Sequence, residues 1–169
     1  MPDKKLLILN KIQIQQKIDR MAYQIWEDNF NETELVIAGI VGCGYILSQR
    51  VKKVLEKISG IKVILVKITL DKEKEHLPAV TDLPVEQCAN KVVVMVDDVL
   101  NSGRTFSYGM RVFLNIPIKK LRTLVMVDRS HRIFPVSTDF TGIELATVLK
   151  EHVDVMLDEK GVTDAVYLR

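Results

Sequence analysis

Two adjacent carboxylates, Asp97 and Asp98, follow the apolar run Val92-Val93-Val94-Met95-Val96 and are separated by Val99-Leu100 from Asn101-Ser102-Gly103-Arg104-Thr105. The β-branched run reads as a buried strand that ends at the acids, with a short polar turn and a helix start behind it. Neighbouring acids at the carboxyl end of a buried strand cannot both be hidden cheaply, so they should face a crevice and take a polar ligand. Asn101 to Thr105 offers successive backbone N–H groups, two hydroxyls and a permissive glycine, a set suited to a phosphate monoester. Hydroxyls held on one side and a phosphate on the other describe a sugar phosphate. An Asp-Asp pair alone would read as a solvated turn, and the five residues beyond it separate the two readings.

Other residues compete less well for chemistry. Gly39, Gly42 and Gly44 fall between a strand and a helix but do not follow the Gly-x-Gly-x-x-Gly order. No ribose-binding acid ends the next strand before Thr69, so a dinucleotide site is not expected. Cys43 and Cys88 are far apart and lack Cys-x-x-Cys spacing, which predicts reduced thiols and no metal site made by them. His76, His131 and His152 are equally scattered. His131 sits in the charged run Asp128-Arg129-Ser130-His131-Arg132, where the alternative to a ligand loop is an ordinary solvated one.

The elements that must position these groups alternate in type. Apolar residues at Ile14, Ile18, Met21, Ala22 and Ile25 predict a helix from Asn10 to about Asn29, with Asn10 as its cap. Glu34 to Val41 reads as a buried strand, Tyr45 to Ile58 as a helix closed by Ser59-Gly60, and Ile61 to Thr69 as a second strand. Asp71 to Asn90 is a long excursion without a period, punctuated by Pro78 and Pro84. Lys91 to Val96 is the strand before the acids, Thr105 to Leu114 a helix, and Lys120 to Val127 a strand. A loop then runs to Pro135, and His152 to Leu157 and Thr163 to Leu168 are two final candidate strands. Repeated strand-helix alternation predicts an α/β fold with a mostly parallel sheet covered on both faces, its ligand beyond the carboxyl ends of the strands.

The strand, the two acids, the spacer and Ser102-Gly103-Arg104-Thr105 together resemble the phosphoribosyl pyrophosphate (PRPP) signature of the type I phosphoribosyltransferases. Further segments fall in the family's order: Ile8-Leu9-Asn10 before a helix, Ile40 to Gly44, Ile68-Thr69-Leu70, Val127 to Arg132 with Pro135, and Val166-Tyr167. The closest likeness is to the branch whose members are both uracil phosphoribosyltransferases and pyrimidine-operon attenuators. The resemblance implies one phosphoribosyltransferase domain over residues 1–169 with a hood loop, and ribose and phosphate held by Asp97, Asp98, Asn101, Ser102, Gly103, Arg104 and Thr105. It also implies a pyrophosphate loop at Val41, Gly42, Cys43 and Gly44, and a base-binding loop at Asp128, Arg129, Ser130, His131 and Arg132. Mg²⁺ is expected to arrive on PRPP rather than in a protein cage.

The chain departs from the family at two loops. Gly42-Cys43-Gly44 stands where these relatives carry Thr-Arg-Gly, so the arginine is gone. Asp71-Lys72-Glu73-Lys74-Glu75 stands where the hood opens with an arginine, leaving Lys72 or Lys74 as its substitute. Asn101 replaces the aspartate that assists proton transfer in purine-transferring relatives. An amide cannot act as a base near neutral pH, which turns the expectation to a pyrimidine. On the first helix Asp19 and Tyr23 occupy the attenuators' RNA-binding face, and an acid there disfavours RNA.

The bulk properties agree with this frame. The chain has 169 residues, 47% of them hydrophobic and 27% charged, and a net charge of +2, so a nucleic acid would need a local basic patch. No apolar stretch approaches the roughly 20 residues that span a bilayer, and no signal-peptide layout opens the chain, which predicts a cytoplasmic protein. The expectation is a transferase that joins phosphoribose from PRPP to uracil, releasing pyrophosphate and forming UMP. Displacement of pyrophosphate needs positioning and charge stabilisation rather than a side-chain nucleophile, so no catalytic residue is assigned. The alternative is a non-catalytic PRPP- or nucleotide-sensing regulator, with or without RNA. Family likeness also predicts a homo-oligomer.

Overall fold

The computed structural model describes residues 4–169. Its chain order begins β1 (Leu6–Leu9), α1 (Lys11–Asp28), β2 (Glu34–Ile40), α2 (Cys43–Ser59) and β3 (Lys62–Leu70). It continues with β4 (Ala79–Thr81), a 3-10 turn (Val85–Cys88), β5 (Val92–Leu100), α3 (Arg104–Gly109) and α4 (Arg111–Leu114), and closes with β6 (Lys120–Asp128), β7 (Phe140–Glu144), β8 (Val153–Met156) and β9 (Ala165–Leu168). Six strands form the central sheet in the order β4-β3-β2-β5-β6-β7, parallel throughout except at β4, and β1, β9 and β8 form a separate antiparallel sheet.

Helix α1 starts where its cap residues dictate. The Asn10 side-chain oxygen accepts from the Gln13 N–H and the Gln13 side chain accepts from the Asn10 N–H, both at 2.9 Å. Its buried stripe is Ile14, Ile18, Met21, Ala22 and Ile25, each such side chain contributing on the order of 1.5–3 kcal/mol on leaving water, Ala22 less. Helix α2 ends at Gly60, whose left-handed φ of 71° suits glycine.

The two faces of the sheet bury different sets. Val92, Val94 and Val96 pack with α1 and α2 in one core, whereas Val93 and Met95 pack with Phe106 and Phe113 in the other. This covered, mostly parallel sheet is the α/β architecture that the alternation of elements predicts. Helix α2 sits close against β2 because Gly39 carries no side chain: a Cβ there would lie 2.4 Å from Ser48 Oγ and 2.8 Å from Tyr45 Cα.

Several boundaries differ from the sequence reading. Strand β5 runs through both acids to Leu100 rather than ending at Val96, because β6 pairs with it as far as Leu100 opposite Asp128. The helix expected from Thr105 to Leu114 is two short ones broken at Met110. The Asp71–Asn90 excursion is largely ordered: β4 folds back antiparallel on β3, leaving residues 71–78 as its tip. Strands β1 and β7 have no counterpart in that reading. Among the described residues no helix is long and apolar enough to cross a membrane.

Candidate functional site

The carboxyl ends of β2, β5 and β6 bring three loops to one crevice. Between β2 and α2, Gly42 adopts φ 96° and ψ −140°, a conformation only glycine takes readily, and its carbonyl accepts from the Tyr45 and Ile46 N–H groups. Two residues on, a Cβ at Gly44 would sit 2.9 Å from Asp97 Oδ1 and 3.0 Å from Asp97 Cα, so glycine lets this loop lie directly on the acids. Of the loop Val41, Gly42, Cys43 and Gly44, the Val41 N–H is spent on the Ile68 carbonyl at 2.9 Å, and Gly44 brings backbone against Asp97.

Asp97 and Asp98 are both half-buried. Asp97 Oδ1 accepts from the Asp98 N–H and Asp98 Oδ1 from the Val99 N–H, each at 2.9 Å, and among the described residues no N–H donor reaches the second oxygen of either carboxylate. Burial first, and then the neighbouring Asp98 carboxylate, push the Asp97 carboxyl well above its ordinary range, while the Lys72 charge opposes them. Of the two lysines expected to stand in for the hood arginine, Lys74 pairs with Asp71 at 3.7 Å, and it is Lys72 whose charge is felt at the acids.

The turn after β5 forms a small cavity of about 140 Å³ lined by Asp97, Val99, Leu100, Asn101, Ser102, Gly103, Arg104, Thr105 and Phe106. Gly103 is left-handed at φ 84°, and among the described residues none accepts from the backbone N–H groups of Ser102, Gly103 or Thr105. Ser102 Oγ accepts from the Arg104 N–H at 3.2 Å. Unclaimed N–H groups on residues that line a cavity this small suit a bound anion. Arg104 lines this cavity while its guanidinium donates to the Glu75 carbonyl of the hood tip.

The resemblance expects the 128–132 loop to meet a base with backbone groups, and most of its charged side chains are engaged within the protein. Asp128 is buried and spends its carboxylate internally, accepting from the Ser130 N–H at 2.8 Å and from Arg132 at 3.0 Å. Arg129 is also buried, donating to Thr147 Oγ1 at 3.0 Å and the Glu151 carbonyl at 2.6 Å. His131 Nε2 donates to the Thr147 carbonyl at 2.6 Å. Arg129 and His131 thus tie the loop to residues 147–151, and Asp128 closes it on itself through Ser130 and Arg132. Ser130 is held left-handed at φ 58°, a strained state for a serine and the kind that clusters at ligand loops.

Cys43 donates weakly to the Val155 carbonyl at 3.4 Å. Burial, and after it the Asp98 and Asp97 charges, push its thiol up, so it supplies neither a cation nor a thiolate. Both cysteines are free. Among the described residues no three His, Cys, Asp or Glu side chains converge as a metal cage.

Sequence reasoning missed Tyr108, Arg111 and Phe134, which cluster with Arg104 beside the turn after β5; the i, i+4 and i+3 spacing of Arg104, Tyr108 and Arg111 was the signal available. A larger groove, about 690 Å³, lies elsewhere, between α1, α2 and the 158–162 turn. It lacks paired acids and an anion-sized backbone concavity, so the smaller crevice is the better candidate for sugar-phosphate chemistry.

Residues 8–160 match the phosphoribosyl transferase domain family. The chain is 34% identical over 169 residues to the bifunctional protein PyrR of Microcystis aeruginosa, covering 95% of each chain. It is likewise 34% identical to the bifunctional protein PyrR of Gloeothece citriformis, covering 99% of each. Among solved structures it is similar to the hypoxanthine phosphoribosyltransferase of Trypanosoma cruzi, with a TM-score of 0.77, 18% identity, and 96% and 95% of the two chains covered. A hypoxanthine-guanine phosphoribosyltransferase from Bacillus anthracis gives a TM-score of 0.71 at 18% identity, with 82% and 81% covered.

Proposed function

The chain belongs to the phosphoribosyl transferase family, and on that premise we propose that it transfers the phosphoribosyl group of PRPP to uracil, giving UMP and pyrophosphate. The observation that carries this reading is the approach of Gly44 to Asp97, which sets a backbone pyrophosphate cradle against the acids and the acids against the phosphate turn. The distribution matches PRPP, with pyrophosphate over Gly42 to Gly44, ribose hydroxyls at Asp97 and Asp98, and 5-phosphate in the turn from Asn101 to Thr105.

In the reaction the bond from the ribose anomeric carbon to pyrophosphate breaks, a bond to the uracil ring nitrogen forms, and that nitrogen loses its proton. The protein's part is to hold the reactants in line and to stabilise the charge on the leaving pyrophosphate. Cys43 brings no charge to that task, so the cations are Lys72 of the hood tip and Mg²⁺ carried on PRPP. Asp97 and Asp98 are the carboxylates that would hold the ion, directly or through water, and the ion would neutralise pyrophosphate oxygens. Asn101, an exposed amide, offers no base toward a purine ring. Uracil rather than hypoxanthine is favoured on that ground, and the PyrR name of the curated relatives agrees with it.

Radiolabelled uracil incubated with PRPP and Mg²⁺ is expected to yield UMP, and hypoxanthine to yield far less nucleotide. PRPP binding without product would instead support a sensor, and absence of PRPP binding by calorimetry would remove both readings.

A second reading, RNA recognition, is favoured by the groove between α1 and α2. Lys53, Lys57 and Lys160 line it without a carboxylate partner among the described residues, and Tyr23, 54% exposed, offers a stacking ring. Two acids lie on this face, Asp19, which accepts from Gln15 at 2.8 Å, and Glu159. If those three lysines neutralise three phosphates of a single strand, the logarithm of the binding constant should fall by about 2 per decade of salt. Lys57→Gln should lower that slope by roughly 0.7 in a gel-shift titration with pyrimidine leader transcript. A slope untouched by the substitution would move RNA away from this groove.

A further inference from the structure

Three loops of the crevice meet outside the phosphate turn at one aromatic side chain. The Tyr108 ring lies beneath the guanidinium groups of Arg104 at 5.6 Å and Arg111 at 4.9 Å. Its edge packs against Phe134, with centroids 5.9 Å apart and planes at 72°. Both arginines then reach across to the hood tip. Arg104 donates to the Glu75 carbonyl, and Arg111 donates to the His76 carbonyl at 2.7 Å and the Leu77 carbonyl at 3.1 Å. Phe134 closes the third side, because the Ser102 carbonyl accepts from the N–H groups of Ile133 and Phe134 at 2.8 and 3.0 Å.

The tip is a unit that such a hold can move as one body. The Asp71 N–H donates to the Pro78 carbonyl at 2.9 Å and Leu77 to the Lys74 carbonyl at 3.1 Å, so residues 71–78 close on themselves above the β3–β4 hairpin. Leu77 alone is sunk into the core, and it sits left-handed at φ 40°, a conformation costly for leucine that the surroundings must enforce. Residues 72 to 76 are exposed and have little else to hold them. Arg111 is itself exposed and spends its donors on carbonyls rather than on a carboxylate, which identifies it as a device for fixing backbone.

We infer that Tyr108 and Arg111 are positioning residues of the transferase, a latch that holds the hood tip, and with it Lys72, over the acids and the phosphate turn. The consequence for PRPP rests on the function proposed above; the latch itself does not. Tyr108 fixes both guanidinium planes and touches the base-loop side through Phe134, so the hood, the phosphate turn and the base loop share a single support. Ligand bound in the crevice would be retained by the closed tip and would escape faster once the latch is cut.

The test uses two variants of the full chain and the lysines of the tip. Endoproteinase Lys-C should cleave after Lys72 and Lys74 roughly tenfold faster in Arg111→Ala and in Tyr108→Ala than in the wild type. Arg111 is exposed on a short helix, so its alanine variant should keep the wild-type melting temperature, and Arg111→Lys should recover part of the protection. In calorimetry with PRPP and Mg²⁺ the Arg111→Ala variant should bind several-fold more weakly, and in steady-state assays KM for PRPP should rise more than kcat falls. Unchanged cleavage in Arg111→Ala overturns the latch, and so does faster cleavage with unchanged PRPP affinity beside a wild type that binds. Faster cleavage of the tip in a protein whose wild type ignores PRPP would keep the latch and overturn the proposed function.

Discussion

Asp97→Asn is expected to weaken binding of PRPP with Mg²⁺ by about 5- to 150-fold, the 1–3 kcal/mol of a lost charged hydrogen bond, while making the free protein more stable near neutral pH. The two effects have one origin. Burial and the adjacent Asp98 charge raise the Asp97 carboxyl, so ionised Asp97 is held at a cost that a diol or a cation would relieve. For a carboxyl raised on folding, the associated stability is fully present below the ordinary value of 3.8 and is lost as pH rises through the folded value. The asparagine variant escapes that loss. Its melting temperature should exceed the wild type's at pH 7, and the gap should close as the pH approaches and passes below 3.8. Asparagine keeps an oxygen for the Asp98 N–H, so the local backbone has no reason to move.

The same shift predicts a proton inventory. Ligand that favours the carboxylate should expel the fraction of a proton that Asp97 still carries, up to one per site, and calorimetry in two buffers of different ionisation enthalpy measures it. The variant should release none from this position. Equal proton release by wild type and variant, or a variant less stable at pH 7, would mean that Asp97 is neither strained nor at the site.

The contrast between what could and could not be read from the sequence follows the range of the interactions. Asn10 and Gln13 are three residues apart, so the start of α1 is visible locally, as is its stripe from Ile14 to Ile25. Strand β5 looks finished at Val96 because aspartate is a poor strand residue, yet Asp97 and Val99 continue the ladder opposite Val125 and Val127. Only the partner strand supplies that information. Strand β7 goes unassigned in the sequence, since Thr141-Gly142 carries no apolar alternation. Gly142 is there because a Cβ would fall 2.4 Å from the Met126 carbonyl oxygen, and Arg20 of α1 secures the same stretch by its carbonyls. The segments Asp97 to Thr105 and Gly42 to Gly44, which the sequence singles out for their chemistry and their glycines, do meet at one crevice. What the sequence did not show is that the side chains of Asp128, Arg129 and His131 brace the loop, because their partners lie within the loop or some twenty residues beyond it.

Removal of the Asp164 carboxylate should have the largest effect on stability. Its side chain is fully buried, pairs with the buried Arg50 guanidinium, and accepts from the Asp158 N–H at 3.1 Å, joining the turn before β9 to helix α2. Arg50 also donates to Gln15 of α1 at 2.7 Å, so three elements converge on one charge pair. Asp164→Ala leaves a guanidinium away from water with Gln15 as its remaining side-chain partner, a change that costs about 3–5 kcal/mol. At roughly 2–4 °C per kcal/mol for a chain of this size, the melting temperature should fall by about 6–20 °C. The pair is not thereby a net source of stability, because desolvating two charges offsets much of their attraction. Arg50→Met combined with Asp164→Leu should therefore recover most of the loss, and the departure from additivity between the single and double variants measures the coupling. A fall below about 1 kcal/mol for the single variant would mean that water reaches Arg50 and that the pair behaves as a surface one. A double variant as unstable as the single would mean instead that the Asp158 N–H, not Arg50, is what Asp164 is needed for.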